Sequence, residues 1–253
     1  MNKLLTLSLV ILSICLVSCK KKKVTEEPEK PVPVRLLTRV WGTNYFNQTG
    51  TTEVNTQYTY DDQNRLIKIS AVKGETTSCT YKDGLLTQVE YHVASSTAFL
   101  ITKYAYQNGK PTGSTETWYR EPGVIRSESG TRFIYTEGKV TAIEAISKDK
   151  VTGVKKFTYS ADNVESYTRE DGAVFTYSYD DKKNPYWNKD LKGLMRSTDH
   201  FSVNNVIELV TVPFPNVKIT DASIFTYDAE GYPLTSKSPD GKTFVRNFEY
   251  VIK

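Results

Sequence analysis

From Arg35 onward the chain alternates. In Phe175-Thr176-Tyr177-Ser178-Tyr179, rings and small hydroxyls take turns, which places them on opposite faces of a strand. Similar pairs recur, each followed by a polar segment: YTYDDQN, CTYKDG, YAYQNG, FIYTEG, FTYSADN, YSYDDKKN, FSVNN, FTYDAEG and FEYVIK. The last position before each turn falls at Tyr60, Tyr81, Tyr106, Tyr135, Tyr159, Tyr179, Val203, Tyr227 and Tyr250. These are spaced by 20–29 residues, about 24 on average, a period that marks a repeat architecture. One period holds two strands and two short connections. The Asp, Asn and Gly residues supply the positive φ that hairpin corners require. The pattern predicts an all-β domain over 35–253, an antiparallel meander of about eight hairpin repeats, curled or stacked to bury its Tyr/Phe face.

The same alignment decides what the acidic pairs are for. Asp61-Asp62 and Asp180-Asp181 share a slot with Lys82-Asp83 and Thr136-Glu137. A slot that accepts Lys and Thr points to turn chemistry rather than catalysis. One stretch departs from the series. Between Asp180 and Phe201 lies KKNPYWNKDLKGLMRSTDH, read as a loop with one helical turn around 189–195. VASSTAFLIT, residues 93–102, reads as a longer strand.

Before Arg35 the pattern changes. Lys3, the apolar run LLTLSLVILSICLV and then LVSC have the proportions of a secretory leader, too short for a stable membrane span. Residues 1–18 are therefore expected to be a signal peptide. LVSC resembles the bacterial lipobox, which implies lipidation of Cys19 and membrane attachment through that lipid. Residues 19–34 follow as a tether, with Lys20–Lys23, three Pro and no aromatic residue, a composition that cannot bury enough apolar surface to order itself. The Lys run suits anionic head groups.

Composition narrows the function classes. Tyr numbers 17 and Phe 10 against two Met, a bias towards strands. Lys and Arg number 33 against 29 acids, and the excess sits largely in Lys20–Lys23, so the repeat domain is close to neutral. That excludes a nucleic-acid binder with a basic face. Of the cysteines, Cys15 lies in the leader and Cys79 in a strand, so no disulfide framework is expected.

The Tyr-Asp turns resemble YD/Rhs-type repeats, most closely at Tyr227-Asp228-Ala229-Glu230-Gly231 with Leu234-Thr235, and again at Tyr60-Asp61 with Asn64-Arg65-Leu66. With Lys183-Asn184-Pro185-Tyr186, Phe201–Val206 and the lipobox, the chain resembles a family of secreted lipoproteins of Gram-negative bacteria. The resemblance implies an all-β, repeat-built domain and brings no activity with it.

Candidate chemistry is sparse. His92 and His200 are the two histidines, and no metal, nucleotide or nucleophile motif accompanies them. No cofactor and no metal are expected. Trp41, Trp118, Tyr119, Tyr186 and Trp187 are read near strand ends or in loops. There, exposed rings can stack on sugars or anchor a protein. Tyr186 and Trp187, beside Pro185, form the candidate binding pair. The expectation is a non-enzymatic, lipid-anchored envelope protein of the outer membrane, facing the periplasm, that binds a glycan or an envelope protein. The rival is a glycan hydrolase with carboxylates converging from separate repeats.

Overall fold

The computed structural model describes residues 33–46, 50–187, 202–214 and 217–253. The leader, Cys19 and the tether through residue 32 lie outside them, as do His200 and the helical turn expected at 189–195. The described chain is all β. Its first eight strands are β1 (Arg35–Phe46), β2 (Gly50–Tyr60), β3 (Leu66–Ala71), β4 (Thr76–Lys82), β5 (Leu85–His92), β6 (Phe99–Gln107), β7 (Lys110–Glu121) and β8 (Val124–Thr136). Next come β9 (Lys139–Ser147), β10 (Lys150–Ser160), β11 (Asn163–Thr168), β12 (Val174–Lys183) and β13 (Asn204–Phe214). Then follow β14 (Val217–Ala222), β15 (Ile224–Tyr227), β16 (Pro233–Lys237) and β17 (Phe244–Ile252).

Each strand from β1 to β13 pairs antiparallel with the next. The run β15–β16–β17 does the same, and β17 returns to pair with β1. Ser223 joins β14 to β15 and donates its N–H to Ile207 O of β13 at 2.9 Å, so the curled sheet is nearly a closed circuit. β1 is held tightly between β17 and β2. At Gly42 a Cβ would sit 1.9 Å from Val245 O, a gap that only glycine fits.

Alternation sorts the side chains as predicted. One face carries Leu66, Cys79, Leu86, Phe133 and Val140, with Tyr58 and Ile143 packed against them. Tyr58 also touches the Leu37–Val40–Phe248 cluster, and Ile143 touches Phe157–Val164–Tyr177. The core therefore runs continuously along the inner face, and the sheet curls around it. Outward rows carry Gln57, Thr59, Lys68, Ser78, Thr80, Lys103, Lys156 and Thr158, all exposed.

Alternating strand direction gives the sheet two edges of turns. One edge holds the repeat tyrosines and, next to them, a register shift at each hairpin. Tyr60 pairs with Leu66, Tyr81 with Leu86, Tyr106 with Pro111, Tyr135 with Val140 and Tyr159 with Val164, each across such a shift. These are β-bulges, one extra residue on the returning strand (Ile67, Thr87, Thr112, Thr141 and Glu165), which sharpen twist and curl. Asn108-Gly109 closes one of these hairpins with φ of 51° and 74°, the two positive values that a tight two-residue corner needs. The far edge holds the tips between β1 and β2, β3 and β4, and so on to β16 and β17.

Two expectations are corrected. Residues 93–98 form a turn, and β6 starts only at Phe99. The Ser96 hydroxyl accepts from Ala98 N at 3.0 Å, and Ser95 has a φ of 54°, so Ser-Ser-Thr acts as corner chemistry rather than strand. Val203 is likewise not a separate repeat position. Tyr179 pairs with Val206 and Lys183 with Asn204, so residues 184–203 connect the two strands of a single hairpin, an enlarged turn whose length placed Val203 one repeat period after Tyr179.

Candidate functional site

The repeat tyrosines build a ladder. Tyr60 donates its phenolic O–H to Leu37 O, Tyr81 to Leu66 O, Tyr106 to Leu86 O and Tyr135 to Pro111 O. Tyr159 donates to Val140 O, Tyr179 to Val164 O and Tyr250 to Pro233 O, and all seven bonds span 2.6–3.0 Å. Six of these acceptors (Leu66, Leu86, Pro111, Val140, Val164 and Pro233) are the residues that face the preceding tyrosine across its bulge. Each hairpin therefore locks the one before it. Burial raises the phenols of Tyr60, Tyr106, Tyr135, Tyr159 and Tyr250, those of Tyr135 and Tyr159 to about 12, so they remain donors. Cations reinforce several steps. Arg65 lies 4.6 Å from the Tyr81 ring centre, Lys139 5.4 Å from Tyr159 and Arg35 5.1 Å from Tyr250.

The turn carboxylates are equally engaged. Asp61 Oδ1 accepts from Gln63 N and Arg65 N at 2.9 Å, and Oδ2 pairs with the Arg65 guanidinium at 2.6 Å. Asp228 accepts from Glu230 N and Tyr232 N and pairs with Arg35 at 2.5 Å. Burial works against ionisation at both. The turn N–H groups and the arginines outweigh it and hold both carboxyls below the usual range. At the far edge, Asp171 is lowered to about 2, first by the Arg169 guanidinium and then by Ala173 N. Asp240 is held down by Lys242 N and the Ser238 hydroxyl.

The ladder breaks once, at the enlarged turn. Tyr227 reaches past the expected carbonyl of Val206 and donates instead to the Asp180 carboxylate. That carboxylate also accepts from Asn205 Nδ2 at 3.1 Å, Asn205 N at 3.2 Å and Lys182 N at 2.9 Å. Asn205 is 3% exposed. Around this hub, Asn163 Nδ2 donates to Asn204 Oδ1 at 2.9 Å, and the fully buried Ser202 accepts from Val164 N at 3.1 Å. Asn184 donates from Nδ2 to Ser202 O at 2.9 Å and from its backbone N to Val203 O at 3.0 Å. Both feet of the excursion that leaves after Asn184 and returns at Ser202 are thus fixed by buried polar groups with partners, the only kind of polar burial that costs little.

The candidate pair stands at the departing foot. Tyr186 N donates to Asn184 Oδ1 at 2.9 Å, and its ring meets Phe248 edge-on at 6.2 Å. Tyr186 is half-buried against the Leu37–Val40–Phe248 cluster, so this ring belongs to the packing. Trp187 follows, also half-buried. The other aromatics sit within strands rather than at their ends. Trp118 pairs with the buried Leu100, which puts it on the inner face. Trp41 lies between Asn55 and Asn247 on the outer face, with Arg39 5.0 Å from its ring centre. Tyr119 stacks on Phe99 at 4.6 Å, and Phe99 on His92 at 5.3 Å. His92 pairs with Glu90 on the same strand at 2.5 Å. Cys79 is buried, and its thiol is pushed up to about 11 by that burial, the state of an inert core thiol. Among the described residues no cluster of three or more His, Cys, Asp or Glu could hold a metal ion.

Sequence reasoning missed the Asp180–Asn205–Tyr227 hub. Its signal was present in Asn204-Asn205, two consecutive amides of which Asn205 is buried.

No protein-family model matches the chain, and no curated protein does. Among solved structures it is similar to a porin-like protein from Bacteroides uniformis, at 15% identity and a TM-score of 0.55, covering 86% of this chain and 98% of that one. A porin-like protein from Bacteroides vulgatus aligns at 9% identity and a TM-score of 0.43, over 86% and 99%. A chain of the TcdB2-TccC3-Cdc42 structure aligns at 15% identity and a TM-score of 0.30, over 77% of this chain and 10% of that one. The first of these shows a shared all-β fold.

Proposed function

We propose that the protein is a lipid-anchored component of the cell envelope, held at the outer membrane through Cys19, with its sheet in the periplasm. Its role is non-catalytic: it binds or scaffolds a glycan or an envelope protein. The observation that carries this reading is the use of the polar groups. Asp61, Asp171, Asp228 and Asp240 are committed to turn amides, and seven tyrosines to main-chain carbonyls. The rival hydrolase would need such carboxylates free to converge on a substrate. The outward Thr, Ser, Lys and Gln rows also differ from the apolar band of a lipid-facing barrel, which supports a sheet standing in water. The likeness to a porin-like Bacteroides protein supports an envelope setting.

Within that reading, the enlarged turn is the recognition element, because an insertion in one unit of a repeat array commonly carries the binding surface. Tyr186 anchors it and Trp187 is the contact. Replacing Trp187 by Ala is expected to weaken retention on isolated envelope polysaccharide or on a co-purifying envelope protein by about tenfold, the scale of an aromatic anchor. Unchanged retention on both would reject Trp187 as the contact. Release of reducing sugar from the polysaccharide by the parent chain would instead establish the hydrolase.

A further inference from the structure

The far edge of the sheet has a chemistry that neither the repeat nor the enlarged turn requires. On the tyrosine edge the hairpin tips are polar: Lys82-Asp83-Gly84, Gln107-Asn108-Gly109, Thr136-Glu137-Gly138. On the far edge the tips expose large apolar side chains. Val72 between β3 and β4 is 54% exposed, Ile125 beside the β7–β8 tip 58%, and Phe214 at the β13–β14 tip 69%. Tyr45, Val124, Val151 and Val217 are also exposed at tips of this edge. Exposed apolar residues gathered in this way on one side of a molecule mark an interaction surface.

A second regularity says what the surface meets. Four of these residues have a basic neighbour in the chain: Val72-Lys73, Ile125-Arg126, Lys150-Val151 and Val217-Lys218. An apolar side chain beside a long cationic one is the pairing that suits a lipid interface. The first enters the acyl boundary, and the second extends its stem and keeps its charge among anionic head groups. Acidic residues on this edge are Glu75, Glu121 and Asp149 near those tips, the Arg169-Glu170-Asp171 turn and Asp240. Asp171 and Asp240 are engaged by neighbouring turn groups.

Because the sheet is curled and nearly closed, these tips lie around one end of it, where a planar surface can receive several together. The basic neighbours make an anionic surface the fitting one. The geometry points to the far edge as a docking surface for an anionic membrane, independent of the binding role assigned to the enlarged turn.

The test asks which edge touches lipid. In the full chain carrying Cys15→Ser and Cys19→Ser, an environment-sensitive dye is placed at Ile125→Cys or, on the opposite edge, at Gln107→Cys. The buried Cys79 stays unlabelled. Vesicles of phosphatidylethanolamine with phosphatidylglycerol should raise emission about threefold at position 125 and leave 107 unchanged. Brominated acyl chains should quench the gain, and Lys73→Gln with Arg126→Gln should reduce it. No rise at 125, or an equal rise at both edges, would overturn the proposal. The first would mean that the tips do not meet lipid, the second that the apolar N-terminal segment alone holds the chain on the vesicle. A rise that appears without vesicles as protein concentration increases would also overturn it, in favour of self-association.

Discussion

The two edges of this sheet are made by the same strands and obey different rules. Along the tyrosine edge one solution is repeated: bulge, tight polar corner, and a phenol bonded to the carbonyl one hairpin back. Along the far edge each corner is built its own way. Ser96 shapes one tip, and Asp171 and Asp240 fold two others with side-chain caps. Still others present Val72, Ile125 or Phe214 to solvent. The difference teaches where the sequence repeat comes from. A ladder couples neighbouring units, so each unit must offer the same donor and the same acceptor. Corners that couple to nothing need only turn the chain, and their residues are left for other purposes.

The largest effect should come from the one place where the tyrosine edge departs from its rule. Asp180→Ala would leave Asn205 and Tyr227 without their shared acceptor, at a cost of about 3 kcal/mol for buried donors deprived of a partner. Denaturant unfolding of the variant measures it. A loss below about 1 kcal/mol would show that the hub tolerates water and does not fix the enlarged turn.

A regular rung should matter less. Tyr60→Phe and Tyr106→Phe keep the ring and remove one hydrogen bond, so each should cost about 1 kcal/mol. Val124→Ser on the far edge should stay within about 0.5 kcal/mol of the parent. If all three variants melt alike, the ladder is geometry without energy, and the contrast between the edges collapses.

The smallest effect is a pH dependence. Asp61, Asp228, Asp171 and Asp240 all have folded-state values below their ordinary ones. Their contribution is therefore complete above the unfolded value, near 4, and is lost as pH falls through the folded values, towards about 2 for Asp171. Thermal melts should weaken across that window. Asp61→Asn, which retains an acceptor for the turn amides but loses the charge facing Arg65, should flatten the slope. Parallel acid limbs for parent and variant would remove Asp61 from the account.

Much of this was legible in the chain. Alternation such as Phe175-Thr176-Tyr177-Ser178-Tyr179 fixed strand type and facing, because a period of two allows no other arrangement. The shared slot of Asp61, Lys82 and Thr136 identified corners. The destination of each phenol was not legible, because its acceptor lies one hairpin away and comes within reach only through a bulge. The enlarged turn misled for a related reason: its length matched the repeat, so Val203 looked like a repeat position. Tyr186 looked exposed because Pro185 and the Lys and Asn residues around it read as loop, and the Phe248 ring that receives it lies 62 residues further on. The return of β17 to β1 follows from tertiary closure, about which local pattern is silent.

That closure bears on how the molecule would respond to force. Pro33 and Val34 leave the sheet at the tyrosine edge, where Val34 and Lys253 exchange two main-chain hydrogen bonds of 2.9 Å. From there β1 runs inward, bonded on one side to β17 and on the other to β2. A pull on the segment preceding Pro33 acts along β1, across bonds that lie perpendicular to the strand. Both rows are then loaded in shear together rather than opened one at a time. The fold has placed a strand bonded on both sides where a tether would tug.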